Sequence, residues 1–232
     1  MKIRKGSLTK KNQSRKSTAE LGFSSAKDTN LIEIRQRQIA ASAGRLFIKR
    51  GYHPTTLRDI SKASGMSMGQ IYHYVSSKDD ILYLIHKYNQ EAWIEELRDL
   101  GMEKIEDQAE RLRKVFHHAA DLVLKNDKLF QFLFTETKYL KKKYLRVVLC
   151  EINNTVVGFW RKILREMEQK LDESDEIMAS NFLTYNMLFF ALWGWNLKAL
   201  RREDSFTFLI DCVLRGLGVM SKGRDAPFNK LT

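Results

Sequence analysis

Proline is nearly absent. The 232-residue chain has two, Pro54 and Pro227, and everything between them does without it. Proline removes a backbone N–H and clashes with the preceding turn, so its absence leaves helices free to run. Cysteine is as scarce. Cys150 and Cys212 stand far apart, without Cys-x-x-Cys spacing, and read as reduced residues of a cytosolic protein. Long apolar runs are missing too. The longest, Met187–Trp195, is too short to span a bilayer. No apolar stretch follows the basic N-terminus, so a secretory signal is not expected. Nothing alternates as a half-buried strand must. No Gly-rich phosphate loop appears, and no Ser/His/Asp or Cys/His set has recognisable local context. His117 and His118 are adjacent, so they point to different sides of a helix and do not pair as metal ligands. No catalytic residue, metal ligand or cofactor is expected.

What is present is positive charge, in one place. The formal net charge is +12. Residues 1–30 hold eight Lys/Arg against Glu20 and Asp28, and residues 31–78 hold eight more against Glu33 and Asp59. The remainder sums to zero. An excess confined to the N-terminal third points to a polyanionic partner, although a solvated basic tail gives the same sum.

Residues 1–30, rich in Lys, Ser, Thr, Asn and Gln, read as a flexible basic arm. From Leu31 the pattern becomes helical, with Ile39, Ala43, Leu46 and Phe47 on one face, ending at Gly51. A short second helix follows Pro54, capped by Thr55 or Thr56 with Asp59 in capping-box register and stopped by Gly65. Ser67 caps a short third helix with Gln70 at the reciprocal position, and Ser77 caps a fourth with Asp80. Long amphipathic helices then run with breaks near 99–102, 125–128, 172–176 and 201–205. "KYLRVVLCEI" is β-branched enough for a strand in isolation, but its flanks make it a helix.

Two short helices joined through a glycine fit a helix-turn-helix. The turn needs a residue at ease in the left-handed region, and the second helix must offer a polar face to a major groove. "TTLRDISKASGMSMGQIYHYVSSKDDIL" resembles the DNA-binding segment of the TetR/AcrR transcription regulators, through Thr56, Ile60, Gly65, Ser67, Gly69, Tyr72, Tyr74, Lys78 and Leu82. Departures are Ser61 where the family carries alanine, Met66 for valine, Ile71 for leucine and Val75 for phenylalanine. The resemblance implies an all-α fold: an N-terminal three-helix helix-turn-helix domain and a C-terminal helical ligand-binding and dimerisation domain. The expected divisions are the arm 1–30, a DNA-binding domain 31–78, a ligand-binding and dimerisation domain 79–222, and a tail 223–232.

The resemblance also implies roles. Thr56, Tyr72 and Lys78 match phosphate-holding positions, and Ser67–Tyr74 matches the recognition helix. Gln70 and His73 are the best base-edge readers, glutamine by pairing with adenine and histidine by donating to guanine N7; Met68 can touch a thymine methyl. Thr55, Ser67 and Tyr74 complete the expected DNA-binding set. The basic arm can follow a minor groove.

In the second half, large side chains recur at helical spacing: Phe116, Phe130, Phe134, Tyr139, Phe159, Trp160, Tyr185, Phe189 and Trp193. Most must be core; the resemblance adds that such a domain holds a small-molecule pocket, and this set is the expected lining. Two last helices, near 176–199 and 205–219, are apolar around more of their circumference than a monomer surface tolerates, in keeping with a homodimer. "LFTETKYLKKKYLRVVLCEINN", "ALWGWNLKALRRED" and "LIDCVLRGL" resemble regulators that sense acyl-CoA thioesters or related acids. Lys138, Lys141–Lys143, Arg146, Arg161 and Arg165 are the candidate cations for such a ligand, with a solvated helix face the ordinary reading of most, and Glu136, Glu151 and Asp211 are the candidate acids for a cationic alternative. The expected function is a cytoplasmic, ligand-responsive repressor, not an enzyme, partnered by operator DNA, a small effector (an acyl-CoA or fatty acid) and its own copy, but no membrane. A helical enzyme or lipid-binding protein whose basic third meets a membrane or RNA is the alternative.

Overall fold

A computed structural model describes residues 14–98, 105–167, 171–197 and 199–218, with side chains from residue 29 onward. Among the described residues every regular element is helical: α1 (Ser14–Arg50), α2 (Leu57–Ser64), α3 (Met68–Tyr74), α4 (Lys78–Arg98), α5 (Gln108–Lys125), α6 (Asp127–Glu136), α7 (Lys142–Ile152), α8 (Gly158–Arg165), α9 (Glu173–Trp193) and α10 (Arg202–Gly216). None is long and apolar enough to cross a membrane. Residues 1–13 of the expected arm, the tail and the break at 99–102 lie outside the described residues. From Ser14 the arm segment is part of α1, where composition had suggested an unstructured chain.

The first four helices are set by local chemistry. Gly51 ends α1 with φ 88°, and Gly65 ends α2 with φ 69°, both in the left-handed region where a side chain would be strained. α2 starts with a complete capping box between Thr56 and Asp59, and α3 with another between Ser67 and Gln70. At α4 the Asp80 carboxylate accepts from the Ser76 and Ser77 N–H groups. α1 closes the turn from the other side: Gln38 Nε2 donates to the Ser64 carbonyl at 2.8 Å and Gln36 Nε2 to the Tyr74 carbonyl at 3.1 Å. These bonds satisfy carbonyls that the short helices leave open. Ser61, the departure from alanine, donates its hydroxyl to the Met66 carbonyl across the turn. The core beneath joins Ile39, Ala43 and Phe47 of α1 to Ile60, Ile71, Ile81 and Leu82.

That core does not stop at residue 78. Phe132, Leu133 and Val148 of α6 and α7 belong to it, and Phe47 stacks on Phe132 at 5.7 Å. The head is thus seated on the second unit through apolar contact. A second core gathers Trp93 and Leu97 of α4, Phe116 of α5, Trp160 of α8, Leu183 and Phe190 of α9, and Phe206 and Ile210 of α10. α4 contributes to both.

α7 and α8 are nearly one rod. Between them Asn153–Val157 form a π-turn, a single wide turn with the Thr155 hydroxyl donating to the Glu151 carbonyl at 2.6 Å. Such turns often sit beside functional sites, because the widened backbone re-aims its side chains. α9 leaves Met178, Phe182, Tyr185 and Trp193 exposed, and α10 leaves Phe208 exposed. On α9, Met178, Phe182 and Tyr185 follow one another at steps of four and three and Trp193 lies two turns further on, so they form one apolar stripe.

Candidate nucleic-acid interface and ligand cavity

α3 shows one face inward and one outward. Ile71 is fully buried and Val75, just past the end of α3, is nearly so, while Gly69, Gln70, Tyr72 and His73 are exposed and Met68 and Tyr74 are half-buried. The helix is short for isolated stability, so its start must be well fixed. Both orphan ends of its capping box are paired: Gln70 N–H donates to Ser67 Oγ at 3.2 Å, and Ser67 N–H donates to Gln70 Oε1 at 2.9 Å. His73 packs edge-on against Tyr74, with ring centroids 4.9 Å apart. Exposed Arg58 and Lys62 on α2 and Arg45, Lys49 and Arg50 on α1 surround the head with positive charge. These cations are visible in the sequence as the charge excess, but which of them stay unburied depends on the helix phase.

Gly69 has no internal reason to be glycine. A Cβ there would meet nothing closer than its own capping Ser67 Oγ at 3.9 Å, and the backbone is ordinary helix. Glycine in a helix costs stability relative to alanine, so the bare backbone suits something that approaches from outside.

Thr56 is exposed, as a phosphate-facing residue must be, although its hydroxyl is shared with Asp59 in the cap. Two residues of the expected set are differently placed. Thr55 is 1 % exposed, and its hydroxyl donates to the Gly51 carbonyl at 2.8 Å, so it packs the α1–α2 turn instead of facing outward. Lys78 directs its ammonium to the carbonyls of Tyr52, His53 and Thr55 at 2.7, 3.1 and 3.1 Å, and lies over the Tyr52 ring. An ammonium has three N–H bonds, and all three are used. Burial lowers the Lys78 pKa, opposed by the neighbouring Asp79 carboxylate. Tyr52 donates to Asp79 at 2.6 Å, and burial with that bond pushes its phenol well above the usual range. The lysine matches the family position, but its contacts tie α4 to the turn before α2.

A cavity of about 860 Å³ opens between α4, α5 and the π-turn–α8 segment. Ile94, Leu97, Val115, Phe159 and Ile163 give it apolar walls; Arg98, Arg111 and Lys162 supply three cations and Glu166 one acid. Arg111 is ion-paired with Glu166, whose backbone carbonyl also accepts from Gln108 Nε2 at 2.9 Å. Asn154 and Thr155 of the π-turn complete the lining. The size suits a sizeable organic ligand, and the charge balance suits an anionic one.

Of the nine aromatics expected to line a pocket, Phe159 alone borders this cavity. Phe116 and Trp160 are both fully buried behind it, with ring centroids 6.3 Å apart. Phe130 and Phe189 pack partly buried against the second core. Phe134, Tyr139, Tyr185 and Trp193 are exposed. Tyr139 lies edge-on to His53 near the head, with centroids 4.6 Å apart, and Tyr185 and Trp193 belong to the α9 stripe. Nor do the candidate cations line the cavity: Lys141 pairs with Asp79, and Arg161 and Arg165 both pair with Glu176. Asp211 is held by Arg113 at 2.8 Å, and Glu151 accepts from Tyr83 OH at 3.3 Å. Arg98, Arg111 and Lys162 come from three helices distant in sequence, so no local pattern marks them as neighbours.

A polar chain runs from this cavity to the head. Thr155 Oγ1 lies 3.4 Å from Gln90 Oε1 on α4. Glu151, one turn back, receives Tyr83 OH; Tyr83 stacks on Tyr144 with centroids 5.3 Å apart; and Tyr144 OH donates to Asp80 at the start of α4. Burial alone would raise the Asp80 pKa, but donors on Tyr144, Ser76 and Ser77 outweigh it and hold the carboxyl below its ordinary value.

Residues 39–83 match the family described as bacterial regulatory proteins, tetR family. The HTH-type transcriptional regulator HbdR of Aromatoleum sp. (strain CIB) is 42 % identical over 71 residues, 31 % of this chain and 31 % of its own length. Matches to the first curated relatives thus span about a third of their length. A tetR-family regulatory protein from Rhodococcus RHA1 superposes with a TM-score of 0.66 at 17 % identity, over 81 % of this chain and 98 % of that one. AibR, whose structure is in complex with isovaleryl coenzyme A and operator DNA, superposes with a TM-score of 0.61 at 22 % identity, over 77 % of this chain and 97 % of its own. Residues 39–83 thus carry the helix-turn-helix of the bacterial tetR-family regulators, and the chain as a whole shares its fold with solved regulators of that family.

Proposed function

We propose that this protein is a ligand-responsive transcriptional repressor that binds a pseudo-palindromic operator as a homodimer, works in the cytoplasm and carries out no catalysis. The observation that carries the reading is α3: a short helix with a fully paired cap, presenting Gln70, Tyr72 and His73 to solvent within the N-terminal third that holds the whole basic excess. Thr56, Ser67 and Tyr72 serve as phosphate-positioning residues, Met68, Gln70 and His73 face base edges, and Tyr74 lies at the rim of the contact. Residues 31–78 form the DNA-binding unit and 79–222 the regulatory one, with the basic arm 1–30 before them and the tail 223–232 after. The α9 stripe of Met178, Phe182, Tyr185 and Trp193 meets its copy in a partner subunit.

The effector is an amphipathic anion, an acyl-CoA or a fatty acid, in the 860 Å³ cavity. With Arg111 and Glu166 paired to each other, Arg98 and Lys162 leave the cavity net positive and favour an anionic head, and the apolar wall favours an acyl chain. AibR, with its coenzyme A thioester and its operator, supports the pairing of these two sites on one such fold. Duplex DNA carrying the inverted repeat upstream of the gene tests the first half by gel shift. Thermal-shift measurement against CoA thioesters of graded chain length tests the second. A rise in melting temperature that Lys162→Ala or Arg98→Ala reduces supports the cavity; no response at any chain length removes it.

A further inference from the structure

If α3 enters a major groove, the state of the Gln70 amide decides what it can read. A glutamine reads adenine with both ends of its amide, the carbonyl oxygen accepting from N6 and the NH₂ donating to N7. In this chain the two ends are not equally available. Oε1 accepts from the Ser67 N–H at 2.9 Å, and that N–H belongs to the helix start, where no helical carbonyl can replace it. Reversing the amide would set NH₂ against N–H, two donors face to face. Nε2 finds no partner among the described residues, and the side chain is exposed.

We propose that Gln70 is a donor-only reader, and that its base is guanine. The assignment rests on the DNA-binding reading above and narrows it to one base pair in each half of the site. The two N–H bonds of Nε2 face outward as a pair, and guanine offers two adjacent acceptors, N7 and O6, in the major groove. Adenine offers an acceptor beside a donor, cytosine a donor alone and thymine the single acceptor O4, so guanine is the base that takes both N–H bonds. Leaving the cap to reach adenine would uncover the Ser67 N–H at the start of a helix only seven residues long. Gly69 adds no side chain beside the amide.

The test is selection of duplexes from a random pool by the full chain and by two variants with opposite losses. Gln70→Glu keeps an oxygen on the Ser67 N–H, so the cap survives, but turns an acceptor outward. Gln70→Lys gives up the cap and keeps a donor outward. The wild type should enrich guanine at one position of each half-site. Gln70→Glu should lose that guanine and favour cytosine or adenine there, a change of about tenfold or more in relative affinity, with an unchanged melting temperature. Gln70→Lys should melt lower and still enrich guanine. Adenine at the wild-type position, or an unaltered base preference in Gln70→Glu, overturns the assignment while leaving DNA binding intact. Failure of the wild type to enrich any sequence removes the DNA-binding reading and this assignment with it.

Discussion

His86 is a basic group kept neutral by burial. It is 4 % exposed on α4, and desolvation pulls its pKa from 6.5 to about 4. Its Nε2 lies 3.2 Å from Thr137 Oγ1, whose own hydrogen goes to the Leu133 carbonyl, so Nε2 carries the proton and donates. Because the folded pKa is the lower one, the unfolded chain takes up a proton first as the pH falls. Stability is therefore intact above pH 6.5 and is lost through the window from 6.5 towards 4. His86→Gln should lose less stability than the wild type between pH 7 and 4.5, by roughly 2 kcal/mol in urea titrations; parallel losses would contradict this. Lys78 offers a second test. With three carbonyls depending on it, Lys78→Ala should cost about 1–3 kcal/mol of stability without DNA present. A purely phosphate-binding lysine would leave stability unchanged. Gly69→Ala should do the reverse, raising stability by about 0.5–1 kcal/mol while weakening DNA binding. At this scale the caps were legible, because Thr56–Asp59, Ser67–Gln70 and Ser77–Asp80 each lie within three residues. Thr55 and Lys78 were not, because their placement depends on how the turn after α1 folds back over α2 and α4.

The element that joins site to site is α4. It begins at the cap beside α3, passes Tyr83, His86 and Gln90, and ends on the cavity wall at Ile94, Leu97 and Arg98. The π-turn lies opposite, with Thr155 on the cavity and also within reach of Gln90. In the proposed function, a ligand pressing on Thr155 would act on α4 through the Gln90 contact and the Glu151–Tyr83 bond. Thr155→Val keeps the shape and removes the hydroxyl. Effector titrations should then show both affinities within about threefold of wild type but a reduced release of DNA, since coupling is an energy separate from either affinity. Unchanged release would remove Thr155 from the link. Helix positions and breaks were largely readable: α6, α9 and α10 begin at the expected acidic or polar breaks, and "KYLRVVLCEI" lies wholly in α7. The π-turn was not, because Asn153–Val157 carries no proline or glycine to mark it; the segment packs on α4 and α9.

On the scale of the molecule, charge and apolar surface are separated. The basic excess belongs to the head and arm, and the apolar stripe lies on α9, with Phe208 exposed on α10. A dimer through that stripe sets two heads at a fixed spacing, and half-sites lie about one helical turn apart. Phe182→Glu with Tyr185→Glu should give a monomer by light scattering and lose specific DNA binding with the head intact. Specific binding by a monomer would contradict the arrangement. The charge segregation and the turn chemistry were legible at once, being local sums and local spacings. The cavity was not, because it is bounded by Arg98, Arg111 and Lys162 from three helices and by an aromatic, Phe159, that resembles its core neighbours in sequence.

The most direct measurement is the affinity for duplex carrying the inverted repeat upstream of the gene, compared with random duplex across a salt series, with and without a long-chain acyl-CoA. The account predicts selective binding, a steep fall of affinity with salt, and release on adding the thioester. Equal affinity for the two duplexes at moderate salt would contradict it.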